Sequence, residues 1–332
     1  MPTPDPLPPD DIVARARERA AARLARDWSR ADGLRAEIEA AGWHIVDRGT
    51  HFALSPAAPP TLEEAGAVRY GSAAAVPSLL DTPADARFSV HLLADDWPDD
   101  LSRALAGLRA DAPDGTQVVV VANDPSPAQA AQLEPGTPDL APVTGRAPEV
   151  VRTSARLGHA TALNVGLRRA AGEIVVLADT SVEPVGDALT PLSATLADPA
   201  VAVAGGFGIV SADLRYFDEA PGPAVDAIEG YWLAFRRDDY RALGPLDEKF
   251  AFYRNLDVWW SLVLRAGPDP AVPPRGARRL ELPLVRHEHR GWTALPEADR
   301  DRLSRRNFYR VLDRFRDRAD DLLIARRTAA NG

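Results

Sequence analysis

From Phe88 onward the hydrophobic and polar positions repeat a pattern. Short apolar runs ending in acids or amides alternate with longer stretches whose apolar residues recur every three or four positions. "FSVHLLA" (88–94) predicts a strand and "DDLSRALAGLRADA" (99–112) a helix. "TQVVVVAN" (116–123) is a valine run of the kind carried by parallel strands buried on both faces. "EVVRTS" (149–154) reads as a strand, "ATALNVGLRRAAG" (160–172) as a helix and "EIVVLAD" (173–179) as a strand. "DALTPLSATLADP" (187–199) then predicts a helix and "VAVAGGFGIV" (201–210) a strand, while the proline-bearing 124–148 predicts a long loop. This alternation predicts a doubly wound, Rossmann-like α/β sheet with helices on both faces. Such sheets bind ligands beyond the carboxyl ends of their strands. Asp95, Asp96, Asn123, Asp124 and Asp179 all fall at those ends.

The flanks follow other patterns. Residues 1–9 are proline-rich and acidic and are expected to be a disordered tail. Residues 10–58 predict a small module of two helices and a hairpin. Trp28, Ala31, Leu34 and Ile38 recur at helical spacing, Gly42 stops the second helix, and "WHIVDRGTHFALS" gives two strands around a turn at 47–50. Residues 59–86, rich in Pro, Ala and Gly, predict a linker, and 87–295 the main domain. In the extension 296–332, Phe308, Val311, Leu312 and Phe315 form one apolar stripe on a charged helix, expected to act as a lid or brace.

Composition narrows the function classes. The chain has 332 residues, 45% hydrophobic and 26% charged, as in ordinary globular proteins. It has no cysteine, which excludes disulfides, zinc–thiolate sites and thiol nucleophiles. Net charge is −9, and Lys249 is the only lysine. That balance argues against coating nucleic acid or docking on anionic lipid. The N-terminus does not read as a signal peptide and no apolar run is long enough to span a membrane, so a cytoplasmic protein is the expectation.

Two resemblances emerge. "ARDWSRADGLRAEIEAAGWHIVDRGTHFALSP", with its D-W-x-x-A-D-x-L-R-like pattern, resembles the C-terminal segment of cysteinyl-tRNA synthetases over residues 22–56. It carries no catalytic residue, and a packing or docking module is expected ahead of RNA binding. Residues 86–290 resemble the family 2 glycosyltransferases of the GT-A fold. Four segments carry this: "FSVHLLADDWPDDL", "LGHATALNVGLRRAAGEIVVLAD", "EGYWLAFRRDDYRALGPLDEKFAFYRNLDVWWSLVLRAG" and "LPLVRHEHRGW".

The resemblance implies a nucleotide-diphosphate sugar donor and an acceptor hydroxyl on a glycan, a lipid-linked molecule or a small molecule. It implies inversion in one displacement, with Mg²⁺ or Mn²⁺ neutralising the departing diphosphate. Asp179 matches the last acid of the family's D-x-D and is the expected metal ligand with His287. The first acid is replaced by Leu177. The family's Glu–Asp dipeptide, whose Asp is the expected base, corresponds to Arg254–Asn255. Asn cannot accept that proton at neutral pH, so the base falls to Asp257, two residues on, or to a nearby carboxylate such as Asp226 or Glu229. Asp95, Asp96, Asn123, Asp124, Arg156 and Asn164 are the expected nucleotide-binding residues. Glu229, Trp232 and Asp226 are the expected acceptor-binding residues. Trp259 and Trp260 are expected in the core, and the "GGFG" glycines at a close backbone approach to acceptor. Two alternatives stay open: a catalytically silent GT-A module that binds a nucleotide sugar or a protein partner, and an RNA-associated protein acting through its N-terminal segment.

Overall fold

A computed structural model describes residues 8–48, 51–64, 66–220, 222–269 and 271–324. Most of the expected tail, half of the 47–50 turn and the end of the C-terminal extension lie outside them. The chain divides into two compact units, 1–72 and 73–332.

In the first unit, helices α1 (Asp10–Leu24) and α2 (Trp28–Ala40) precede a hairpin of β1 (Trp43–Arg48) and β2 (His51–Pro56). Asp27 caps α2 by accepting from the Arg30 N–H at 3.0 Å. Ile12, Ala16, Ile38, Trp43 and Ile45 form the core, and the buried Arg19 guanidinium donates to Asp47 at 2.7 Å. Part of the stretch read as a linker is ordered as an antiparallel pair, β3 (Leu62–Glu64) and β4 (Ala67–Tyr70).

The second unit is built on β5 (Ala86–Ala94), β6 (Gln117–Ala122), β7 (Glu149–Thr153) and β8 (Gly172–Ala178). These run parallel in the order β8-β5-β6-β7. Helices α3 (Pro98–Asp111), α4 (Pro127–Gln132) and α5 (His159–Leu167) connect them. Successive residues of β6 and β8 serve opposite faces. Val118, Val120, Ile174 and Val176 join the core of one face, while Val175 and Leu177 join that of the other. Gly166 lets α5 lie close against the sheet, since a Cβ there would meet Val121 Cγ2 at 2.7 Å.

Beyond β8 the chain forms β9 (Val182–Pro184), α6 (Thr190–Leu196), β10 (Val201–Gly205) and β11 (Gly208–Val210). The strand expected over 201–210 is therefore two. β10 stays in the main sheet, while β11 joins β12 (Asp218–Glu219) and β14 (Ala227–Ile228) in a separate one. A Cβ at Gly205 would collide with the Trp232 carbonyl and Ile228, so its small size serves sheet packing. Between these lies β13 (Ala224–Val225), and after them β15 (Trp232–Arg236), α7 (Arg237–Leu243), α8 (Leu256–Ala266), β16 (Gly276–Arg279) and β17 (Leu284–Arg286). β15 inserts antiparallel between β8 and β10, which makes the sheet mixed. The chain closes with α9 (Arg290–Thr293), α10 (Glu297–Phe315) and α11 (Ala319–Leu322). Val311 and Phe315 of α10 are buried in the core that holds Trp259 and Trp260 of α8, so the amphipathic helix braces the unit. No helix among the described residues is long and apolar enough to cross a membrane.

Candidate active site

The mixed sheet gathers acids at one edge. β5 ends just before Asp95 and Asp96, β6 before Asn123 and β8 before Asp179. Because β15 runs antiparallel, its start meets the end of β8, bringing Glu229, Gly230 and Tyr231 to that edge. The Asp179 N–H donates to the Tyr231 carbonyl at 3.0 Å. The first turn of α8 supplies Asp257, and the segment after β17 supplies His289 and Arg290. Together they line a cavity of about 480 Å³, within the range of small-ligand sites.

Asp179 is held by its own turn. Its Oδ1 accepts from the Ser181 N–H at 2.8 Å and from the Ser181 hydroxyl at 2.5 Å. Its Oδ2 lies 3.3 Å from His289 Nε2. His289 Nδ1 accepts from the Trp292 N–H at 3.0 Å and so caps α9, which puts the neutral ring's proton on Nε2, facing Asp179. Burial pushes the Asp179 carboxyl up, but the His289 bond and charge and the Ser181 bonds outweigh it and hold it below its ordinary value. Burial likewise pushes His289 down, and Asp179 reverses this and raises it. The imidazole also stacks on Tyr253, with centroids 4.6 Å apart.

A second acidic pair sits on the same cavity. Asp257 accepts from the Gly230 N–H and the Val258 N–H, both at 2.9 Å. Burial nonetheless raises its carboxyl above the usual value. Burial raises Glu229 too, and the charge of Asp257 adds to it. A carboxylate raised toward neutrality in this way is suited to accept a proton. On another part of the lining, burial raises Asp95 against the pull of Arg156, whose guanidinium lies 3.1 Å from Asp95 and 3.7 Å from Asp96.

Of the expected residues, the cavity brings together Asp95, Asp96, Asn123, Arg156, Asp179, Glu229 and Asp257. Five others do not line it. His287 Nε2 pairs with Glu183 at 2.8 Å, and the imidazole beside Asp179 is that of His289. β17 ends at Arg286, so strand alternation no longer governs where His287 and His289 point. Asn164 is buried and its amide ties α5 to the loop before α8: Nδ2 donates to the Leu246 carbonyl at 2.9 Å, and Oδ1 accepts from the Leu246 N–H at 3.0 Å. Trp232 is 1% exposed, inside the sheet core. Asp226 is fully buried, accepting from the Ser211 N–H and the Ile324 N–H and lying 3.7 Å from Arg265. Asp124 is exposed at a positive φ of 49° beyond β6. Asn123 lines the cavity, although its amide also braces Leu157. Trp97, which lines the cavity at φ 65°, had no signal in the sequence.

The donor set bears on a cation. Among the described residues no group of three His, Asp or Glu side chains is placed to hold a metal. The lining has Asp95, Asp96, Asp100, Asp179, Glu229 and Asp257 against Arg156, Arg254 and Arg290. A diphosphate entering such a lining needs added positive charge. Asp179 Oδ2, which faces His289, keeps a lone pair, and Mg²⁺-type ions are commonly held by one or two carboxylates with substrate phosphates and water completing the shell. The residues fit a divalent cation held in that way.

Comparison with known proteins gives three findings. Residues 95–251 match the model of the family Glycosyl transferase family 2. A crystal structure of GalNAc-T7 with UDP, GalNAc and Mn²⁺ superposes with a TM-score of 0.55 at 13% identity, over 71% of this chain and 50% of that one. That likeness shows the GT-A fold, and the chain spans about half the length of that protein. The mannosyltransferase PcManGT from Pyrobaculum calidifontis, solved with GDP-Man and Mn²⁺, gives a TM-score of 0.44 at 22% identity, over 60% of this chain and 59% of that one. Separately, 49 residues are 47% identical to a cysteine–tRNA ligase of Opitutus terrae, 15% of this chain and 11% of that enzyme.

Proposed function

We propose, from the match of residues 95–251 to the family 2 glycosyltransferase model and from the GT-A fold, that the chain transfers a sugar, with inversion, from a nucleotide-diphosphate donor to an acceptor hydroxyl. The observation that carries this reading is the convergence on one cavity of the Asp179–His289 pair and the Glu229–Asp257 pair. Asp179 would hold a divalent cation together with the donor's phosphates, and that cation would neutralise the charge left on the diphosphate. His289 donates to Asp179 and fixes the carboxylate's orientation. The acceptor oxygen attacks the anomeric carbon, and the carbon–oxygen bond to the diphosphate breaks with its electron pair going to the diphosphate. The acceptor proton passes to Glu229, whose carboxylate has no hydrogen-bond partner among the described residues and whose proton affinity is raised by burial and by Asp257. Asp257 grips the Gly230 N–H and holds the Glu229–Tyr231 turn in place. Arg156, Asp95 and Asp96 line the nucleotide side.

The loss of acids at Leu177 and Asn255, and the absence of a three-ligand cluster among the described residues, favour one rival: a silent module that binds donor without turnover. Calorimetric titration of UDP- and GDP-sugars with and without Mn²⁺, coupled to detection of released nucleoside diphosphate, separates them. Metal-dependent binding with release supports the transferase, and binding with no release supports the module. No binding of any nucleotide sugar overturns both.

A further inference from the structure

We propose that the acceptor is anionic, carrying a phosphate or carboxylate that Arg254 and Arg286 receive beside the hydroxyl to be glycosylated. The proposal rests on the transferase reading and adds the chemical class of its second substrate.

Arg254 lines the cavity where the family resemblance leads one to expect an acid. Its backbone is pinned, because Asn307 Nδ2 donates to the carbonyls of Phe252 and Arg254 at 2.7 and 2.8 Å. Its guanidinium lies over the Trp292 indole, 5.4 Å from the ring centroid, and Arg300 lies over the same indole at 4.8 Å. Among the described residues neither arginine has a carboxylate within 4.0 Å. Arg286 is held in a comparable way, 5.1 Å from the Tyr231 ring and 5.4 Å from that of Phe207, and it pairs with the exposed Glu219 at 3.8 Å.

A guanidinium held against an aromatic ring by its charge still has N–H groups to offer a planar or tetrahedral anion. Tyr231 lies two residues after Glu229, and Arg254 three residues before Asp257. Arg286 and Arg254 also draw the Glu229 carboxyl down against burial. Among the described residues Arg254 has no carboxylate within 4.0 Å and Arg286 pairs with the exposed Glu219 at 3.8 Å, so both guanidinium groups keep N–H donors that an anionic group on the acceptor can take. The donor's diphosphate is a competing source of such an anion, and the test distinguishes it.

The protein is saturated with UDP or GDP and Mn²⁺, and inorganic phosphate is titrated in, followed by calorimetry. Arg254→Gln and Arg286→Gln should each weaken phosphate at least about tenfold, the loss of one charge-assisted hydrogen bond. Arg254→Lys should recover part of it, and nucleotide affinity should stay within about twofold. Thermal midpoints close to wild type establish that the variants fold; should Arg254→Gln melt early, Arg254→Lys and Arg286→Gln carry the comparison. Equal phosphate binding by wild type and variants overturns the proposal, as does absence of phosphate binding to the nucleotide-loaded protein. Loss of nucleotide affinity in Arg254→Gln assigns the arginine to the donor and also overturns it. Failure of wild type to bind any nucleoside diphosphate strikes the transferase reading itself, and is read before phosphate is added.

Discussion

Asn164→Ala separates a structural amide from a ligand-binding one. In the fold, Asn164 makes four hydrogen bonds: to the Leu246 carbonyl at 2.9 Å, to Glu248 at 3.2 Å, from the Leu246 N–H at 3.0 Å and from the Tyr240 hydroxyl at 3.0 Å. Truncation leaves both backbone groups of Leu246 and the buried Tyr240 hydroxyl without this partner. Each orphaned group costs about 1–3 kcal/mol. Water entering the vacated space recovers part of that, for a net loss of about 4 kcal/mol. At about 2–4 °C per kcal/mol for a unit of this size, Tm falls by about 10 °C. Differential scanning fluorimetry reads the shift, and UDP titration below the new Tm reads the site. A drop in Tm with nucleotide affinity within about threefold is expected. A Tm unchanged to within 2 °C together with lost nucleotide binding would refute the structural assignment and return Asn164 to the donor.

Other expectations are equally direct. Glu229→Gln should lower turnover by about 10²–10⁴-fold with donor Kd preserved, as loss of a general base does; wild-type kcat would move the base elsewhere. Asp179→Ala should abolish the Mn²⁺ dependence of nucleotide binding, measured as the ratio of Kd with and without metal, and an unchanged ratio would remove Asp179 from the cation. His91 is buried and burial lowers its pKa to about 3. The unfolded chain therefore takes up a proton near pH 6.5 while the native His91 stays neutral, and stability falls as pH drops below 6.5, by about 1.4 kcal/mol per pH unit. Burial lowers His159 to about 4, which works in the same direction. Urea midpoints from pH 7.5 to 5 should decline less steeply in His91→Leu than in wild type; parallel declines would show that His91 is not the titrating group.

The sequence by itself determined the repeating units and the edge at which chemistry gathers. The spacing of Val118 to Val121 and of Ile174 to Leu177 requires strands packed on both faces, because alternate residues of a strand point to opposite sides. Each of those strands ends one residue before an acid or amide, so Asp95, Asn123 and Asp179 could be named before any coordinates. The tertiary structure decided which groups meet. Asn164 looked like a ligand contact in the "ALNVG" motif, yet its partners lie 76 to 84 residues away and no local pattern reveals them. His287 and His289 are alternate positions of one extended stretch, and the resemblance pointed to His287. The end of β17 and the N-cap of α9 separated them, sending one to Glu183 and the other to Asp179. Glu229 came to the edge that holds Asp179 because β15 runs antiparallel beside β8. Periodicity is set by backbone geometry within a few residues and is written into the chain. Pairings across a site depend on strand order, register and helix caps, which the whole packed core settles at once.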